Sequence, residues 1–113
     1  MGLVNLNPSN ASVNIAEDIR GSDTVTLVSA TATSSVALPA NGNRAGYSIY
    51  NASSNTTVYV REAGTVTAAL YKNPIPPGYF FESDFSNSRY TGAISVITAS
   101  GTANLMVTES TIS

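Results

Sequence analysis

The sequence predicts an all-β fold: a single antiparallel β-sandwich or small β-barrel of about 7–8 short strands, with an N-terminal arm. Three observations carry this. From Thr24 onward apolar residues recur with period two, and no segment of ten or more residues sustains the 3.6-residue period of an amphipathic helix. Turn-forming residues interrupt these runs at intervals of about ten residues, the spacing of short antiparallel strands. Finally, Val, Ile, Leu and Phe supply only 26 of the 113 residues, whereas Ser, Thr and Asn supply 40. The chain therefore builds a thin core under a surface of hydroxyls and amides.

The strands follow in order. Thr24–Ala30 alternates at its start, and Ser35–Leu38 ends at Pro39-Ala40-Asn41-Gly42-Asn43, a loop signal. In Tyr47–Asn51, Tyr47 and Ile49 share one face and Tyr50 takes the other. Ala52–Asn55 reads as the turn into Thr57–Arg61, where Val58 and Val60 point together, and the two segments form a predicted hairpin. In that hairpin Tyr50 and Tyr59 pair on the outer face. A weaker strand surrounds Thr65–Thr67. Three prolines between Pro74 and Pro77 make a rigid connection, since proline cannot donate to a ladder, and Pro77-Gly78 suits the centre of a type II turn. Tyr79–Glu82 is aromatic and pairs into a sheet. Ala93–Thr98 and Ala103–Thr108, joined by Ala99-Ser100-Gly101-Thr102, read as a second hairpin in which Ile94, Val96, Leu105 and Val107 share a face.

Residues 1–23 differ from the domain of residues 24–113. Their apolar residues, Leu3, Val4, Leu6, Val13, Ile15 and Ile19, sustain no single period. They read either as a first strand with a short helical turn or as an extended arm that orders against a partner.

Composition excludes several functions. The chain has no Cys and no His, which removes disulfides, thiolate nucleophiles, the Ser-His-Asp triad and the usual zinc, haem and iron–sulfur ligand sets. A net charge of −2, from five basic and seven acidic residues, argues against binding the phosphate backbone of nucleic acid. No run of about 18 apolar residues offers a membrane-spanning helix. The first eight residues lack the basic and apolar regions of a signal peptide. No catalytic residue, metal ligand or cofactor is expected. The exceptions weighed are Glu82 with Asp84 as a carboxylate pair, the oxygen-rich run Asp84–Ser88 as a calcium loop, and Lys72 as an activator of a serine. Each has a plainer reading as a solvated strand end or polar loop.

Aromatic residues are more informative. Tyr79, Phe80, Phe81, Phe85 and Tyr90 fall within twelve positions, and alternation prevents all of them from facing the core. The expected partner-contact residues are Leu3, Val4, Leu6, Tyr50, Tyr59, Phe80, Phe85 and Tyr90, because aromatic side chains bring large area with few rotors.

One series of motifs is familiar. Arg44-x-Gly46-Tyr47-x-Ile49-x-Asn51, then Thr57–Arg61, Gly64–Thr67, Pro74–Gly78, Tyr90–Ile94 and Gly101–Glu109 resemble, in order, a series in small structural proteins of tailed bacteriophages. The resemblance spans about Val25 to Glu109. It implies a non-enzymatic virion component, a capsid decoration (cement) protein on the outer head surface. Its partners would be the major capsid protein and neighbouring copies of itself, as a trimer or dimer, with no nucleic acid and no membrane. Such a protein is made in the host cytoplasm and ends on the virion. The alternatives are a receptor- or carbohydrate-binding module of a head or tail fibre, and a minor tail or adaptor component.

Overall fold

The period-two alternation folds as strands throughout the part of the chain that the computed structural model describes, residues 20–83 and 89–112. Eight strands form there: β1 (Arg20–Ala30), β2 (Ser35–Leu38), β3 (Arg44–Asn51), β4 (Val58–Arg61), β5 (Asn73–Ile75), β6 (Phe80–Ser83), β7 (Ile94–Thr98) and β8 (Ala103–Ile112). They make two four-stranded antiparallel sheets, β1-β8-β3-β6 and β2-β7-β4-β5. The sheets keep open edges, so the molecule is a sandwich and not a closed barrel.

The pairing is nested. β1 pairs with β8, β2 with β7, β3 with β6 and β4 with β5. The first four strands thus match the last four in reverse order, like a long ribbon folded on itself. Contacts of β3 with β8 and of β4 with β7 then close each sheet. This is the strand order of an eight-stranded jelly roll.

Inward residues of the two sheets fill one core. Val28, Tyr47, Ile49, Phe81, Leu105 and Val107 face Leu38, Val58, Val60, Ile75, Ile94 and Val96. In β8 burial alternates strictly from Ala103 to Val107, as the sequence requires of a strand with one wet face.

Both expected hairpins are absent. β3 lies in one sheet and β4 in the other, and the same holds for β7 and β8. The connections Ala52–Thr57 and Ala99–Thr102 are arches that carry the chain across the sandwich. Alternation reports which face of a strand is buried, and an arch buries the same residues as a hairpin, so Ile94, Val96, Leu105 and Val107 do meet, but from opposite sheets. Tyr50 and Tyr59 are therefore not a cross-strand pair. Asn73–Ile75 is a short strand where a rigid connection was expected; Pro74 is tolerated because β5 is an edge, paired among the described residues only with β4. Pro77-Gly78 does form the expected turn, with Gly78 at φ 80° and Tyr79 N–H donating to Pro76 O at 3.0 Å. Thr65–Thr67 forms no strand and contributes one isolated bridge, Thr67 to Leu70. β1 starts at Arg20, ahead of Thr24, and residues 1–19 lie outside the described residues.

Two buried polar side chains at the ends of β3 hold the loops. At one end Arg44, with no solvent exposure, donates Nε to Glu109 Oε2 at 2.9 Å. Its other nitrogens donate to the backbone oxygens of Pro39, Tyr90 and Gly92 at 2.6, 3.2 and 2.8 Å. At the other end Asn51, also fully buried, donates Nδ2 to the oxygens of Thr56 and Ile75 at 2.7 and 2.8 Å. Its Oδ1 accepts from the N–H and hydroxyl of Ser53. Every side-chain nitrogen and oxygen of the two groups has a hydrogen-bond partner, which is what makes their burial tolerable.

Candidate functional site

The outer face of the sheet β1-β8-β3-β6 is the outstanding surface. Directly opposed residues in antiparallel strands point to the same face. The registers Leu27↔Met106, Met106↔Tyr50 and Tyr50↔Phe80 therefore set four large apolar side chains in one row across all four strands. All four are exposed: Leu27 74%, Met106 40%, Tyr50 43% and Phe80 65%. Val25, two residues before Leu27 and 57% exposed, widens the row at the β1 end. Tyr79, 65% exposed, precedes β6, where its backbone oxygen accepts from the N–H of Asn51.

Around the row the face is polar and nearly uncharged. One rank of side chains away run Val25, Thr108, Ser48 and Glu82; on the other side stand Ser29 and Asn104. Asp23, which accepts from Ser110 Oγ at 2.8 Å, lies towards the far end of β1. Hydroxyls and amides bordering exposed aliphatic and aromatic groups cost less to desolvate than charges would, provided that a partner supplies their hydrogen bonds. Exposed single hydrophobics need no explanation, whereas a contiguous row across a sheet makes this face the candidate interaction surface.

Of the residues expected to contact a partner, Tyr50 and Phe80 lie in this row. Tyr59 sits on the other sheet, half-buried, its ring 4.6 Å from that of Tyr71. Tyr90 packs against the core and donates its hydroxyl to Ala93 O at 2.8 Å. Its backbone oxygen also serves Arg44. Leu3, Val4, Leu6 and Phe85 lie outside the described residues, as do Asp84 and the rest of the run to Ser88. Glu82 is exposed. Lys72 pairs with Glu62, Nζ to Oε1 3.5 Å.

Sequence reasoning missed Leu27 and Met106. Each occurs in a strand at an alternate position, so the signal was present; assigning the face required knowing that β8 is flanked by β1 and β3. The other polar features are internal supports. Tyr47 donates its hydroxyl to Glu62 Oε2 at 2.9 Å. Burial, and then that carboxylate, pushes the phenol's pKa far above its ordinary value. A shallow open groove between the two arches, lined by Asn55, Tyr59, Ser100 and Thr102, carries no convergent charge. Among the described residues no group of three or more acidic side chains is placed to hold a metal ion. No helix there is long and apolar enough to cross a membrane. No protein-family model, no curated protein and no solved structure matches the chain.

Proposed function

We propose that this protein is a structural binding module, a capsid decoration (cement) protein of a tailed bacteriophage that braces the assembled head by docking the outer face of its β1-β8-β3-β6 sheet. The observation that carries the reading is the apolar row Leu27–Met106–Tyr50–Phe80, continuous across four strands and bordered mainly by hydroxyls and amides, with Val25 and Glu82 at the two ends of one flanking rank. The motif series resembling small phage structural proteins supports the same class. So does the jelly-roll strand order, an architecture used by viral capsid and lectin domains; this is an analogy of fold and not of site. Mechanistically, a ligand that binds only the assembled shell stabilises that state in proportion to its occupancy and affinity.

The test compares virions made with and without the gene. Removal is expected to lower the temperature and the osmotic step at which heads lose DNA, and quantitation should find hundreds of copies per intact particle. Equal robustness of the two particle types would refute bracing.

A second reading has one specific observation behind it. Tyr50 and Phe80 are exposed rings opposed across β3 and β6, one rank from the hydroxyl of Ser48, a combination suited to stacking on sugar rings of a host-surface glycan. Saturable binding on a glycan array, lost in Phe80→Ala, would favour that reading over bracing.

A further inference from the structure

The four sheet edges are unequal. β2 and β6 are four residues long, and β5 is three with Pro74 inside it. Short or proline-bearing edges like these resist pairing with other chains. β1 is eleven residues long, contains no proline or lysine, carries charge only at Arg20 and Asp23, and among the described residues pairs only through β8. Its ladder with β8 is regular from Ser22 to Ala30. Every side chain from Ser22 to Leu27 is exposed. A long, plain edge with Val25 and Leu27 on it is a template for strand addition.

We infer that β1 pairs antiparallel with β1 of a second copy about a two-fold axis at Thr26, joining two four-stranded sheets into one of eight strands. The sequence of the strand selects both the partner and the register. Directly opposed residues must point to the same face, so the axis falls on a residue. An axis at Thr26 sets Val25 against Leu27 of the second copy, twice by symmetry, and sets Asp23 against the Ser29 hydroxyl. An axis at Val25 would oppose Asp23 to Leu27, and one at Leu27 would oppose Val25 to Ser29. Only the Thr26 register gathers all four apolar side chains into one central patch while keeping the two Asp23 carboxylates apart. Ser22 to Ala30 then overlap along their whole length, and each edge satisfies the other's backbone groups. The pairing goes beyond the docking reading and does not depend on it, because Met106, Tyr50 and Phe80 stay free.

The chain has no cysteine, so single-cysteine variants report the register cleanly. At Thr26 the two Cα atoms would stand about 4.5–5.5 Å apart, within the range a disulfide bridges. At Thr24 the symmetry-related residues would be four steps apart along the strand, roughly 13 Å, and out of reach. The full-length chain is expected to sediment at twice its monomer mass. Thr26→Cys should give a disulfide-linked dimer under mild oxidation, and Thr24→Cys should not. The double variant Val25→Lys/Leu27→Lys should be a monomer with unchanged circular dichroism. A monomeric full-length chain overturns the inference, including the case in which its own residues before Arg20 cover the edge. Equal crosslinking through Thr24→Cys and Thr26→Cys overturns it as well. Phe80→Ala is expected to leave the crosslink intact, so failure of docking and failure of pairing are read separately.

Discussion

Arg44 and Glu109 form an ion pair, Nε to Oε2 2.9 Å, between the fully buried guanidinium at the start of β3 and a partly exposed carboxylate on the β8 strand beside it. The guanidinium also ties down the β2–β3 and β6–β7 loops through three carbonyls. Removing the guanidinium leaves three loop carbonyls and a partly exposed carboxylate without their donor, at a cost of about 1–3 kcal/mol. Arg44→Met is expected to lower the urea midpoint accordingly. Arg44→Lys should fare little better, because a single ammonium cannot span the same four acceptors. A loss below about 1 kcal/mol in equilibrium unfolding would contradict this account.

Tyr47 predicts an alkaline limb in stability. Its phenol is held protonated in the fold, chiefly by burial and then by the Glu62 carboxylate, and ionises near pH 10 when unfolded. Above that pH the unfolded chain binds fewer protons than the native one. Stability is therefore full below about pH 10 and falls by up to 1.36 kcal/mol per pH unit above it. Urea melts between pH 8 and pH 11 should show the fall, and Tyr47→Phe should remove this group's share of it.

Gly92 is a packing requirement. A β-carbon there would sit 2.5 Å from the Tyr90 hydroxyl oxygen and 2.7 Å from the adjoining ring carbon. Gly92→Ala must displace a ring packed on the core and disturb the carbonyls that Arg44 uses. A destabilisation of about 1–3 kcal/mol is expected, read by thermal or chemical unfolding.

Ser95 points the other way. Its hydroxyl is buried with no hydrogen-bond partner among the described residues. Ser95→Ala deletes an unpaired polar group at little cost in volume, so stability should hold or rise by up to about 1 kcal/mol. A clear fall in Tm would show that the hydroxyl is in fact partnered.

Tyr50 and Phe80 separate folding from binding. Both are exposed, so Tyr50→Ala and Phe80→Ala should each change stability by no more than about 0.5 kcal/mol. Binding to heads prepared without the protein should weaken by 30-fold or more if either ring is an anchor of about 2 kcal/mol. Unchanged occupancy in both variants would remove this face from the docking account.

Much of the strand content was legible because alternation is strong wherever one face is buried, as in Ala103–Val107 and Tyr47–Tyr50. Sheet membership was not legible. A hairpin at Ser100-Gly101 and an arch at the same place need the same turn residues and bury the same side chains, and only long-range pairing distinguishes them. The motif Arg44-x-Gly46-Tyr47-x-Ile49-x-Asn51 was visible, but its meaning was not. In the fold Arg44 and Asn51 are the two polar ties at the ends of β3, and Tyr47 and Ile49 are core between them. The apolar row needed three registers to become visible, since Leu27, Tyr50, Phe80 and Met106 are far apart in sequence.

The place of β8 has a consequence for how the chain is made. It is the last of the eight strands in sequence, yet it lies inside its sheet, and its final residue, Ile112, pairs with Arg20. A ribosome adding about 5–20 residues per second delivers every other strand first. Until Ala103–Ile112 emerges, among the described strands β1 has no neighbour and β3 has only β6. Completion of the sheet therefore waits for Ala103–Ile112, and a translational pause before Ala103 would leave the facing edges of β1 and β3 unpaired.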